Sequence, residues 1–397
     1  MDTLFVKKNI LIILLSLAAC LIFIREPLFL LEPRIWAEEG RIYLSRALAE
    51  EPVSALFSFN LGYYSFFNSF IAFIAVEFFP IKYAAYVTTY SSLFIQLATF
   101  LLIVLTPSKL LATFEERFLV GIALIILGTP EIWLTTINMQ FWLATGAFFL
   151  LNGKSLQTIH LIYLAMAFLT GIPSLLFAPF FLIRYSRERD RSYLIVFCMG
   201  TIAFFIHLLA FIDYLSSGDN NRLNLDHVTN IFYSLVESLT VTFDFTHLQI
   251  SVNKYLDIVL FLVFISTLTT YFLKERRELF IYVLFPLILY LIVTLTLSIR
   301  MTGGERYAFP VTIALYSALV LLCKRYHSEK FWPVLPILVL LLHLPGYFQT
   351  SRFYDEQWPS WRSQLDAWDG RSPIQVLIFP QNKKNKWSVI LDSNRSP

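Results

Sequence analysis

KKNILIILLSLAACLIFIREP, residues 7–27, opens on two lysines and then runs apolar from Ile10 to Ile24 with only Ser16 polar. A basic start and an apolar core ending in Leu17–Cys20 have the form of a secretory leader with a lipid-attachment cysteine. A processed leader turns polar after the cysteine. Here the apolar run continues through LIFI to Ile24, so the stretch reads as an uncleaved first span, and the rest of the chain is read as folding in a bilayer.

Composition agrees. Of 397 residues, 57% are hydrophobic, 15% are charged and 39 are phenylalanine, and the apolar residues come in repeated runs of about 17–25, the length that crosses a hydrocarbon core. Such runs lie near 9–24, 64–80, 82–105, 118–129, 131–151, 159–183, 193–213, 255–273, 279–299, 307–323 and 331–346. The expectation is an all-α polytopic membrane protein of about eleven spans. A net charge of +3, with no basic patch, gives no reason to expect a nucleic-acid partner. Cys20, Cys198 and Cys323 all lie in apolar runs, which leaves no disulfide framework and no Cys-x-x-Cys metal site.

The charges set the orientation. RYSRERDRS from Arg184, KERRE from Lys274 and KRYHSEK from Lys324 are short and dense in base, as is Lys7-Lys8. By the positive-inside rule these face the cytoplasm. Residues 25–63, 214–254, 300–306 and the tail from 347 then fall outside, with a cytoplasmic N-terminus and an external C-terminus. The chain divides into a transmembrane domain, 1–346, and a small external C-terminal α/β appendage, 347–397, where PIQVLIFP and KWSVIL read as two short strands. Trp358, Trp361 and Trp368 precede the strands and are expected to anchor at the interface.

The first external segment holds PRIWAEEGRIYLSRA, residues 33–47. Tyr43, Leu44, Ala47 and Leu48 recur at helical spacing, with Arg41, Ser45 and Glu50 elsewhere, the pattern of an amphipathic helix lying in the interface. Glu38 and Glu39 cannot both face the apolar side. A carboxylate at the mouth of a membrane cavity can take a proton from a hydroxyl nucleophile; the same pair could instead only start the helix, favoured by its N-terminal dipole. On the same side SIRMTGGERYAFP, Ser298–Pro310, offers Arg300 and Arg306 around a glycine pair, with Tyr307 beside them. Arginine forks bind phosphate oxygens bidentately, although snorkelling or pairing with Glu305 would also account for them.

Between 106 and 151 the pattern weakens. PEIWLTTINMQFW reads as a break lining a cavity, since irregular backbone survives at membrane depth only where protein or water covers it. That makes Asn138, Gln140 and Trp142 candidate cleft residues, with helix packing as the alternative. His207 and Asp213 lie about two helical turns apart on one span and could form a relay, but His207 reads as a packed residue and Asp213 as near the membrane edge; Glu77, Asp257 and His343 read as interfacial, and Asp244 and His247 as minor candidates for substrate binding.

WAEEG followed by a short helix resembles the first external loop of a family of bacterial polytopic membrane proteins with GT-C glycosyltransferase architecture. NMQFWLA (138–144), TGIPSLLFAPFFLIR (170–184), GGERYAFP (303–310) and IFPQN with WSVIL in the tail resemble the same family in the same order. Glu39 stands where aspartate is common. The resemblance implies a GT-C-like fold in the bacterial inner membrane and transfer of a sugar from a polyprenyl-phosphate donor to a glycan, lipid or protein acceptor on the external face. Glu39 would be the base, with Glu38 orienting it. Arg300, Arg306 and Tyr307 would hold the donor phosphate, and Trp36, Arg41, Asn138, Gln140 and Trp142 would line the cleft. No cofactor is expected; Glu38 and Glu39 are the residues that could ligate a divalent ion. The competing functions are a flippase or transporter of lipid-linked saccharide, and a noncatalytic scaffold in envelope-glycan assembly.

Overall fold

The computed structural model describes residues 2–128, 130–217, 266–271, 273–274, 278, 280–296, 305–326, 330–348, 360–366, 368–381 and 386–392. Those residues form a mainly helical bundle with one two-stranded sheet. In order, the helices are α1 (Asp2–Arg25), α2 (Pro27–Leu31), α3 (Ser45–Ala49), α4 (Pro52–Phe57), α5 (Phe66–Glu77), α6 (Ala84–Leu105), α7 (Phe114–Ile126), α8 (Met139–Leu151), α9 (Thr158–Leu169), α10 (Ile172–Leu175), α11 (Ala178–Glu188) and α12 (Arg191–Ser216). After 217 come α13 (Phe285–Thr296), α14 (Phe309–Tyr326), α15 (Val334–Phe348) and α16 (Trp361–Asp366), then β1 (Ile374–Gln381) paired antiparallel with β2 (Lys386–Leu391). Among the described residues three helices, Ile81–Leu105, Arg191–Ser216 and Phe309–Tyr326, are long and apolar enough to cross a membrane.

Where the long helices face outward they carry Phe94, Ile202, Phe205 and Leu209, all exposed, whereas the inner face of α6 carries Thr88, Thr89, Ser92, Gln96 and Thr99, all buried. Apolar outside and polar inside is the arrangement a lipid solvent favours. Most of the inner hydroxyls are satisfied locally, the buried Thr89 hydroxyl being the exception. Ser92 and Thr99 donate to carbonyls one turn back, and Thr99 shares a hydrogen bond with the Tyr163 hydroxyl.

The bundle has two distinct ends. At one, Arg184 donates to the Leu151 and Gly153 carbonyls and pairs with Glu188, which also holds Lys109 at 2.6 Å; this is the basic end. The other end carries the β-hairpin. Helix starts at the basic end are specified by their own sequence. Thr113 and Glu116 form a reciprocal capping box on α7, and the Asp190 carboxylate accepts from the Ser192 N–H at the start of α12.

Two of the apolar runs fold differently from their reading as single spans. Residues 64–80 hold no helix of spanning length. α5 has 12 residues, about 18 Å, against a hydrocarbon core of about 30 Å. The turn after it lies at the hairpin end, where Trp361 donates its indole N–H to the Ile81 carbonyl. Residues 159–183 fold as an out-and-back pair. α9 starts at the basic end, where His160 meets Thr106, and α11 returns there with Arg184; the reversal falls at Thr170–Gly171, ahead of Pro173.

The tail differs too. Trp361 and Trp368 are buried in a core that joins Val376, Ile378 and Val389 of the hairpin to Ile35, Leu44, Ile81 and Ala85. They pack inside this core and do not anchor at an interface. The tail's apolar face therefore shares its core with the first loop and the α5–α6 turn.

Candidate functional site

Residues 33–49 do not lie flat on a surface. Glu39–Leu44 form a widened π-helical turn running into α3, and Tyr43, Leu44 and Ala47 are buried while Arg41 and Glu50 are exposed. The amphipathic face is as the spacing predicts, but it packs on protein, against α5 and the hairpin, and not on lipid. The hairpin holds this segment closely. The Phe379 N–H donates to the Ile35 carbonyl at 3.1 Å, the Phe379 ring lies 4.7 Å from that of Trp36, and Arg41 sits over Trp387. Gly40 faces the sheet so closely that a Cβ would lie 2.5 Å from Ile378 Cδ1 and 2.8 Å from Ile35 Cγ2.

Glu39 is buried, and both its oxygens are used. Oε2 accepts from the Trp36 N–H at 2.9 Å and Oε1 from the Thr136 N–H. The carboxylate thus clamps the first loop to the break between α7 and α8, 97 residues away in sequence. Both partners have a residue in the left-handed region nearby, Ala37 at φ 30° and Leu134 at φ 54°. Non-glycine residues reach that region only where surrounding structure enforces it. Burial pushes the Glu39 carboxyl up to about 7, partly offset by the bonds from Thr136 and Trp36 and reinforced by the nearby Glu38 charge.

The sign of the pH effect follows. Unfolded, Glu39 titrates near its ordinary 4.5; folded, near 7. The folded form binds the proton more tightly, so stability is greatest below pH 4.5 and declines as pH rises to 7. Buried Glu26, also raised to about 7 by desolvation, acts in the same direction. Thermal unfolding of the solubilised protein at pH 5 and pH 7.5 is expected to show the higher midpoint at pH 5, and Glu39→Gln should flatten that dependence while Glu26 supplies the remainder. An unchanged pH slope in Glu39→Gln would mean that the carboxyl is not buried in this way.

Glu38 is half-buried, and its charge, with that of Glu131, acts on Arg306. Arg306 lies in a short 3₁₀ turn, Glu305–Tyr307, with Nε 3.9 Å from Glu131 Oε2, a loose ion pair that leaves the guanidinium available to a stronger anion. Tyr307 packs edge-on against Phe141. Three segments remote in sequence, 36–43, 130–138 and 305–307, therefore meet at the hairpin end. Arg300 and the glycine pair 303–304 lie outside the described residues, as do Asp244, His247, Asp257 and Trp358.

The break has irregular backbone covered by protein and does not line a cavity with Asn138 and Trp142. Asn138 is buried and donates to the Glu131 carbonyl at 2.6 Å and to Thr135 Oγ1. Trp142, fully buried, donates to the Ile132 carbonyl at 3.0 Å and packs on Trp133 and Phe309. These two residues brace the break from below and do not offer a surface to sugar, which corrects their reading as cleft residues. Trp36 likewise is buried, beneath Phe379. Gln140 is half-buried and donates to the Ile137 carbonyl. His207 is packed, as its sequence context suggests. Nδ1 accepts from the Tyr64 N–H at 3.2 Å and Nε2 lies 2.9 Å from the Phe168 carbonyl, with Asp213 exposed away from it.

Three contributors escape a sequence reading. Thr136 acts through its backbone. Glu131 carried a signal, being the carboxylate inside the break. Arg25 looks like an ordinary residue at a span's end, yet it is buried, donates to the carbonyls of Ile125, Ile126 and Gly128 at the end of α7, and lies over Trp133 and Tyr347. A cation on the carbonyl end of a helix is favourable, and this one pins α1 to the break. Among the described residues no group of His, Cys, Asp and Glu is placed to hold a metal. Compared with protein-family models, with curated proteins and with solved structures, the chain matches none.

Proposed function

We propose that the protein is a polytopic membrane glycosyltransferase with GT-C-like architecture. It moves a sugar from a polyprenyl-phosphate donor to an acceptor hydroxyl at the hairpin end, taken as the external face of the bacterial inner membrane. The observation that supports this reading is that Glu38, half-buried, and Arg306, loosely paired with Glu131, lie at one end of the bundle beside a first loop fixed by Glu39.

The geometry redistributes the roles of the acidic pair. Glu39 has both oxygens occupied by backbone N–H groups, so it serves as a positioning residue. Glu38 is the base. In the reaction the acceptor oxygen attacks the anomeric carbon, its proton passes to Glu38, and the bond from the anomeric carbon to the phosphate oxygen breaks with its electron pair leaving on the phosphate. Arg306 stabilises that phosphate, with Tyr307 beside it. The products are the glycosylated acceptor and the free polyprenyl phosphate.

Arg306→Lys tests the phosphate role. Lysine keeps the charge and loses the planar fork, so the donor KM should rise and kcat should fall. The loss should stay below the ~10²–10³ that removal of an oxyanion donor costs. Unchanged donor dependence in the lysine variant would remove Arg306 from the reaction.

A further inference from the structure

α5 is a wall with two sides. Its buried side, with Asn68 and Ser69, packs toward the π-helical turn that carries Glu39. Its other side faces a groove of about 830 Å³ shared with α6 and lined by Phe66, Phe70, Ile74, Tyr86, Tyr90 and Phe94. The lining is almost wholly apolar and mostly aromatic. Its single charged member is Arg362 of α16, at the hairpin end. Phe94 lies ten residues beyond Ala84, so the groove runs about 15 Å down α6.

The groove is open along one side, where Tyr90 and Phe94 are exposed, and its volume falls within the range of about 300–1,000 Å³ of ligand sites. It suits one chain and is small for a two-chain lipid. The rim supplies an anion site. The Tyr86 hydroxyl lies beside the Arg362 guanidinium, whose ion pair with Asp366, at 3.6 Å, is half-exposed on both partners. An exposed pair of this kind is worth little and yields to a phosphate that the arginine fork fits better.

We infer that this groove holds the chain of a second polyprenyl phosphate lipid, its phosphate on Arg362 and Tyr86, and that the acceptor of the proposed transfer is itself lipid-borne. The inference rests on the glycosyltransferase reading for the acceptor role but not for the binding. Donor and acceptor would reach the first loop from opposite sides of α5, the donor at Arg306 and the acceptor at Arg362.

The test uses the full chain in phosphatidylcholine nanodiscs and a sugar-free polyprenyl monophosphate with a photoreactive group on the chain, with labelled peptides mapped by mass spectrometry. Labelling is expected on 66–94. It should fall tenfold or more in Ser91→Trp and in Ile74→Trp, which fill the groove, and severalfold in Arg362→Gln, and should survive equimolar phosphatidylglycerol. Labelling confined to peptides around 305–309, labelling insensitive to both tryptophan variants, or equal competition by phosphatidylglycerol would overturn the groove as a specific site, the last making it an ordinary bilayer contact. Groove labelling by a protein that transfers no sugar would sink the enzymatic reading and the acceptor role while leaving the lipid site standing.

Discussion

Glu38→Gln is expected to lower sugar transfer by about 10²–10⁴, the usual contribution of a general base, with donor binding and thermal stability close to wild type. Glutamine keeps the size of the side chain and removes its proton-accepting charge. The half-buried position of Glu38, with its charge acting on Arg306, separates it from Glu39. Glu39→Gln should behave differently. It leaves an amide N–H₂ facing one of the two N–H donors, and an unsatisfied buried donor costs about 1–3 kcal/mol. Its activity loss should therefore track altered stability and altered pH dependence of unfolding. Steady-state transfer rates and melting curves on the two single variants check this. Equal activity losses with equal destabilisation would return Glu38 to a helix-starting role.

The second large effect is expected at Gly40, although no catalytic role is assigned to it. Gly40→Val puts side-chain atoms where Ile378, Ile35 and Val389 already sit. Overpacking of this kind costs about 1–3 kcal/mol. Here it falls on the contact that seats the hairpin, so the docked population should drop by up to about a hundredfold, since 1.4 kcal/mol is a factor of ten. Protease cleavage of the C-terminal segment should accelerate, and transfer should fall with it. Ile378→Ala added to Gly40→Val removes the nearest obstruction and should recover part of both losses. If Gly40→Val leaves cleavage and activity unchanged, the hairpin does not hold the first loop.

What could be read from sequence was whatever polarity marks. Glu38, Glu39 and Arg306 stand out because each is a charge beside apolar sequence, and the two strands stand out as short stretches rich in Val and Ile. The buried face of residues 43–47 followed from helical spacing. What that face packs on did not. The pairing of Phe379 with Ile35 and Trp36 joins segments some 340 residues apart, and no local pattern encodes a contact at that separation. The same limit misplaced Trp361 and Trp368, since a tryptophan at an interface and one in a small core have the same sequence surroundings. Hydropathy also misread 64–80, where an apolar run of spanning length contains a 12-residue helix whose aromatic face lines a groove. It misread 159–183 as well, although Gly171 and Pro173 mark a reversal there. The division of labour between Glu38 and Glu39 depended on two backbone N–H groups, which sequence does not place.

The proposed reaction of a lipid-linked sugar lies between Glu38 and Arg306. It is tested most directly by a cryo-electron microscopy structure of the Glu38→Gln protein, in nanodiscs, with a polyprenyl-phosphate sugar bound. The account predicts the donor phosphate within hydrogen-bond distance of the Arg306 guanidinium, with the anomeric carbon turned toward residue 38 and the chain leaving into the bilayer at the hairpin end. A donor whose phosphate lies away from Arg306, or whose density continues through the bundle to the Arg184–Glu188 end as a transported lipid would, contradicts it.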